Sequence, residues 1–319
     1  RTLSPELITL EDILAARQVV SNRLHLTPVT GSSYLGNQVG HRLAFKLELF
    51  QKTGSFKPRG VLNKLHHLTD EERARGIIGF SSGNHAQAVA WAARNAGIPS
   101  TVVMPSSSVR SKVEATRQYG AEVVLTEGHL MDVSRAIQEE RDLTMVQPFD
   151  DPMIIAGQGT LGLEILDQVP EVAAVVVGVG GGGLISGIAT AIKEAKPQVK
   201  MIGVEPTGAA VMTQSLRKGE PVQLESMETV ADGLAAPFAG EHTLAHMQTF
   251  VDDVVIVSDA QILEAMALIM ERSKVVAEPA GAAPLAGLLS GQVKLPGGST
   301  VVCVVSGGNV DRERLKELL

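Results

Sequence analysis

Between residues 43 and 49 apolar and polar positions alternate, with Leu43, Phe45 and Leu47 set against Lys46 and Glu48, the period of a half-buried strand. Upstream, Ile13, Leu14, Ala16, Val19 and Val20 recur at helical spacing behind Thr9-Leu10-Glu11-Asp12, a capping sequence. Residues 25–30 carry Pro28 and read as an extended connector. From Gly76 the pattern becomes a repeated strand–loop–helix unit. Residues 77–80 form a strand, 81–85 a turn, and Ala86, Val89, Ala90 and Ala93 one helix face ending at Gly97. Further strands are expected over 101–104, 121–125 and 144–146, with helices between them. Strands alternating with helices of this length imply parallel pairing through right-handed crossovers. Residues 76–147 therefore read as one small open α/β domain.

A second series follows Pro152. Residues 156–166 form a glycine-punctuated helix, and 173–177 an all-apolar and hence central strand. The run Gly178-Val179-Gly180-Gly181-Gly182-Gly183 turns into a helix over 184–195. Strands at 199–204, 254–257 and 300–305 complete the series; a capped helix with Ile262, Leu263, Met266 and Ile269 in its core face follows 254–257.

Composition narrows the function classes. The length of 319 residues suits two domains, or one with a large insert. Net charge is −7 with no basic block, which favours neither nucleic acid nor an anionic membrane as partner. The one cysteine, Cys303, lies in the apolar run 301–305, so a buried inert thiol in a reducing compartment is expected. No apolar run of about 18 residues and no secretory leader pattern occurs, and a cytoplasmic location is the expectation.

Three loops carry candidate chemistry. In Thr53-Gly54-Ser55-Phe56-Lys57-Pro58-Arg59-Gly60 one lysine sits where Ser55 could cap a helix starting at Phe56, with Pro58 in the first turn. The positive end of a helix favours a neutral amine, the form that condenses with a carbonyl. The glycine run at 178–183 follows a buried strand, so its N–H groups can surround a phosphate. It also fits a dinucleotide turn, with Glu205 where a ribose-binding acid would stand, which keeps an NAD-dependent dehydrogenase as an alternative. Ser81-Ser82-Gly83-Asn84-His85 ends a parallel strand, where Asn84 could bond a phenolate-like oxygen and exposed N–H groups a carboxylate. Ser306, after the last strand, could offer a hydroxyl to a ring nitrogen.

Taken in order, Thr53-Gly54-Ser55-Phe56-Lys57, Ser82-Gly83-Asn84-His85-Ala86-Gln87, Asp150-Asp151-Pro152, Ile155-Ala156-Gly157-Gln158-Gly159-Thr160, Gly180-Gly181-Gly182-Gly183-Leu184 and Ser306-Gly307-Gly308-Asn309 make the chain resemble a known family. It is similar to the fold-type II pyridoxal-phosphate enzymes, in the threonine/serine dehydratase and serine racemase branch. The resemblance implies an α/β fold of two open, twisted, mostly parallel sheets with flanking helices, like tryptophan synthase β. A small domain (76–147) would be inserted in a large cofactor domain (1–75 and 148–319). By the same resemblance Lys57 would hold pyridoxal 5'-phosphate covalently and act as general base, Asn84 would bond its ring hydroxyl, Gly180, Gly181, Gly182, Gly183 and Leu184 its phosphate, and Ser306 its pyridine nitrogen. Ser81, Ser82, Asn84 and His85 would receive the substrate carboxylate.

The implied reaction is dehydration of a β-hydroxy amino acid such as L-threonine or L-serine to a 2-oxo acid and ammonia. A neutral Ser306 would leave the carbanion poorly delocalised and so favour prompt loss of the hydroxyl. Amino-acid racemisation and 3-hydroxyaspartate dehydration are the alternatives. Ser82 stands where racemase members keep a second acid/base, while Phe149 replaces a polar residue of theirs and tilts toward dehydration. Racemase members bind a divalent metal through positions matching Glu205, Ala209 and an Asp; Val211 replaces that Asp, so no metal is expected. Pro58 replaces a commoner aliphatic residue. A homodimer or higher homo-oligomer is expected, and no regulatory domain is expected after the Ser306 loop.

Overall fold

The computed structural model describes residues 5–81, 83–108 and 110–319. Ten strands run in chain order: β1 (Val29–Gly31), β2 (Arg42–Leu47), β3 (Ile77–Phe80), β4 (Ser100–Pro105), β5 (Glu122–Thr126), β6 (Thr144–Met145), β7 (Ala174–Gly178), β8 (Lys200–Pro206), β9 (Asp253–Val257) and β10 (Thr300–Val305). They form two sheets, β1-β2-β10-β7-β8-β9 and β5-β4-β3-β6. Only the β1–β2 pair is antiparallel; every other pairing is parallel. The α/β architecture and the parallel pairing match the reading of the sequence. Every residue of β7 and β10 is buried, as expected of continuous apolar runs covered on both faces.

Local chemistry explains the boundaries. The first helix, Leu10–Val20, starts with a reciprocal Thr9–Asp12 capping box. The strand expected over 43–49 stops at Leu47, and residues 48–50 turn into a short 3-10 segment. The reason is Glu48, which turns inward to meet Arg59 and Thr27 instead of alternating outward. The helix Pro279–Leu289 has no amphipathic pattern because ten of its residues, Pro279 through Leu288, are buried, so the period-3.6 contrast is missing.

Three helices set the distance between the loops of interest. The helix Pro152–Gln168 lies between Pro58–His66 and Gly183–Ala195, and both contacts run through glycine. A Cβ on Gly157 would fall 2.6 Å from the Gly60 Cα, and one on Gly187 would fall 2.5 Å from the Gly159 nitrogen. The Ala156–Thr160 stretch is thus a ruler: it fixes the chain just after Lys57 against the chain just after the glycine run.

Candidate active site

The C-terminal ends of β3, β7 and β10 face a cavity of about 500 Å³ lined by Lys57, Asn84, Gly180, Gly183, Glu278 and Ser306, among others. Ser81, Gly181, Gly182, Leu184 and His85 line it too. The described residues singled out from the sequence therefore meet around one space, although they come from four separate stretches of chain. Ser82 lies outside the described residues.

The lysine loop is built differently from the expectation. Ser55 does not cap a helix at Phe56: it is extended, bridges to Gly307, and the helix begins at Pro58 with Lys57 as its N-cap. The pairing with the β10 loop, which Phe56 N–H extends by donating to Ser306 O at 3.1 Å, takes Ser55 out of capping geometry. The Lys57 amine donates to the Pro148 carbonyl at 2.7 Å. Burial lowers its pKa to about 8, with Glu278 partly opposing. Desolvation rather than the helix end thus favours the neutral amine.

The glycine run opens the helix Gly183–Ala195 without any side-chain cap. Gly182 stands at φ +87°, a conformation that L side chains rarely adopt. An uncapped helix start of this kind leaves backbone N–H groups for an anion. Phe149 packs its ring on Gly181 and lies 5.1 Å from the Phe238 ring, closing the cavity on that side.

Asn84 is held at both ends of its amide. Its Nδ2 donates to Glu278 Oε1 at 2.6 Å, and its Oδ1 accepts from Asn309 Nδ2 at 2.8 Å. This fixes which end of the amide is nitrogen and leaves one N–H for a ligand oxygen. His85 is buried, and burial drives its pKa down to about 3, Lys57 adding to the effect. Its Nε2 lies 2.9 Å from the Val146 carbonyl, which only accepts, so the ring is neutral with its proton there. Toward a carboxylate, His85 can therefore offer its backbone but no charge.

Glu278 escaped the sequence reading. It is buried, and its N–H donates to Gly307 O at 3.1 Å, so it ties the β10 loop to Asn84. Burial raises its pKa to about 7, Asp232 adding to the effect and Asn84 opposing. Only a Glu-Pro pair ahead of an apolar run marks it in the sequence, and that reads as a helix start. Because the folded state holds this proton from about pH 4.5 up to about 7 and the unfolded chain does not, Glu278 lowers stability as pH rises through that window. In the cofactor-free protein, Glu278→Gln should therefore gain on the parent by on the order of 2 kcal/mol between pH 5 and pH 8. Thermal unfolding at the two pH values measures this; a parallel course would contradict the buried acid.

Glu205 is committed elsewhere. Its carboxylate accepts from the Met212 and Thr213 N–H groups at 2.7 and 2.8 Å and from the Thr213 hydroxyl, at the start of the helix Val211–Lys218. Burial nonetheless raises its pKa. Among the described residues no cluster of three or more His, Cys, Asp or Glu side chains has metal-binding geometry.

The arrangement fits an aromatic aldehyde bearing a phosphate. It offers a desolvated amine, an uncapped glycine cradle, and an amide fixed at both ends, around a space of small-molecule size. Residues 20–307 match the model of the pyridoxal-phosphate dependent enzymes. The chain is 45% identical to the L-threonine ammonia-lyase of Thermotoga maritima over 318 residues, covering 98% of this chain and 78% of that protein. Among solved structures, maize serine racemase superposes with a TM-score of 0.93 at 39% identity, covering 98% of this chain and 97% of that one. The serine racemase of Dictyostelium discoideum superposes at 0.89 with 36% identity, and a bacterial-type threonine deaminase (T.th.) at 0.89 with 42% identity, the latter covering 95% of this chain and 99% of its own. No described helix is long and apolar enough to cross a membrane. With the amine, the cradle and the fixed amide on one cavity, and this family's model matched across most of its length, the chain belongs to the pyridoxal-phosphate dependent enzymes.

Proposed function

We propose that this enzyme removes water from a β-hydroxy amino acid such as L-threonine or L-serine, giving a 2-oxo acid and ammonia. The observation that carries the reading is the Lys57 amine, held near neutrality at the mouth of a helix and sharing one cavity with the glycine cradle. The names of the relatives, threonine ammonia-lyase and threonine deaminase, support the same reaction. Bound here, pyridoxal phosphate supplies an electron sink that acidifies the substrate Cα–H. Lys57 holds the cofactor and, once displaced by the substrate amine, takes that proton as general base. Gly180, Gly181, Gly182, Gly183 and Leu184 hold the phosphate; Asn84 holds the ring hydroxyl and Ser306 meets the ring nitrogen. The substrate carboxylate lies against the turn of Ser81, Ser82, Asn84 and His85, with Ser82 as the acid/base that would permit racemisation.

The division into a large domain (1–75 and 148–319) and a small one (76–147) belongs to the same proposal, as do a homo-oligomeric assembly and a cytoplasmic location. The grouping of β3, β4, β5 and β6 in a sheet of their own supports the domain boundaries. The test is the holoenzyme on L-threonine, L-serine and 3-hydroxyaspartate, scored for 2-oxo acid and for the opposite enantiomer. Oxo acid from threonine or serine is expected as the main product. Racemate without oxo acid, or turnover of the hydroxyaspartate alone, would replace this reading.

A further inference from the structure

The cavity holds an ion pair that the scheme above does not use. Lys112, on the helix Arg110–Gln118 that follows β4, meets Asp232 at 2.7 Å. Asp232 opens the short 3-10 turn Asp232–Leu234, near the six-stranded sheet, and both residues line the cavity. The lysine side chain is only 18% exposed against 52% for the aspartate, so the ammonium is the inner member of the pair. A Cβ on Gly83 would lie 3.4 Å from the Lys112 Nζ and 3.5 Å from its Cδ, which places the side chain across that glycine. Gly83 is the N-cap of the helix Asn84–Ala96, which has no side-chain cap, and sits inside the Ser81–His85 turn.

Charge balance makes this position informative. The cavity already contains the carboxylates of Asp232 and Glu278, and a cofactor phosphate adds more negative charge. An entering carboxylate needs a cation nearby to offset that field. Lys57 is committed to the cofactor and has its pKa lowered to about 8, and the His85 ring is neutral. His129 also lines the cavity, but its Nδ1 lies 3.3 Å from Asp132 and its side chain is 49% exposed. Lys112 is the remaining ammonium, and it already lies over the turn.

We propose that Lys112 contacts the α-carboxylate of the amino-acid substrate, with Asp232 holding its ammonium over Gly83. The proposal rests on the amino-acid reading above but not on which bond is broken. It identifies the ligand group as a carboxylate adjacent to an amine, and it makes Lys112 a determinant of affinity rather than of the chemical step.

The test uses the holoenzyme and two ligands without a β-leaving group, L-alanine and its descarboxy counterpart ethylamine. Binding is read from the visible absorbance change that each produces. Lys112→Met keeps the aliphatic stem over Gly83 and removes the charge. It should weaken L-alanine about 10- to 100-fold, the range of a lost charge-assisted contact, and leave ethylamine within about twofold. The double variant Lys112→Met with Asp232→Asn separates loss of the cation from exposure of the anion, and L-alanine should remain weak there. Equal weakening of both ligands would mean a structural role. Recovery in the double variant would mean repulsion by Asp232, and a loss confined to L-aspartate would mean recognition of a side-chain carboxylate. Each of these outcomes overturns the proposal. Because neither ligand eliminates water, a failure here is distinct from failure to form 2-oxo acid from threonine or serine.

Discussion

Lys57→Ala should reduce formation of 2-oxo acid by at least about a thousandfold while leaving the fold intact, since the variant loses both the covalent anchor and the base. The side chain is half-buried and forms one hydrogen bond, to the Pro148 carbonyl, so truncation opens space without stranding a charge. The parent protein offers a second readout. With its pKa lowered from 10.5 to about 8, the amine is neutral roughly 300 times more often at pH 7 than an ordinary lysine. The sign is that of a base: raising pH removes the proton and increases the reactive form. Cofactor-free protein mixed with pyridoxal phosphate should therefore gain its visible absorbance faster as pH rises from about 6.5, levelling above about 8. A rate still climbing tenfold per unit near pH 9.5 would show that burial does not shift this amine.

The largest stability effect is expected at Arg59, two residues further on. Its guanidinium donates through Nε and Nη2 to both Glu48 oxygens at 2.8 Å, and to Glu164 at 2.7 and 2.9 Å. Lys46 joins the same Glu164 at 2.6 Å, and Thr27 donates to Glu48 at 2.6 Å. Arg59, Glu48 and Lys46 are fully buried. Burial alone would push the Glu48 pKa up, but Arg59 overrides it and holds the carboxyl below its usual range. Arg59→Met removes one member and strands the carboxylates, so a loss of about 3–5 kcal/mol is expected. Arg59→Lys should recover little, because an ammonium cannot serve two carboxylates in the plane of the guanidinium fork. Denaturant unfolding measures both; a change below about 1 kcal/mol for the methionine variant would show that the cluster relaxes freely.

Much of this was legible in the chain because it is local. Continuous apolar runs marked β7 and β10, the Thr9–Asp12 box marked a helix start, and glycine or asparagine loops at strand ends marked the cavity rim. What escaped depends on partners distant in sequence. Glu278 is defined by Asn84 and Gly307, and Lys112 by Asp232, and no spacing rule links those positions. Ser55 departs from its local reading for the same reason: its bridge to Gly307 outcompetes a local cap. The helix Pro279–Leu289 was invisible to periodicity because it has no wet side.

The glycine-to-glycine crossings on either side of Pro152–Gln168 bear on how the enzyme matures. They join the anchor residue and the anion cradle through backbone packing, with no small molecule spanning the gap. The receptor geometry is thus finished when the polypeptide finishes folding, and the vitamin-derived group is a late arrival rather than a template. A cell short of that vitamin would accumulate a folded, loadable reserve of this protein instead of losing it to degradation.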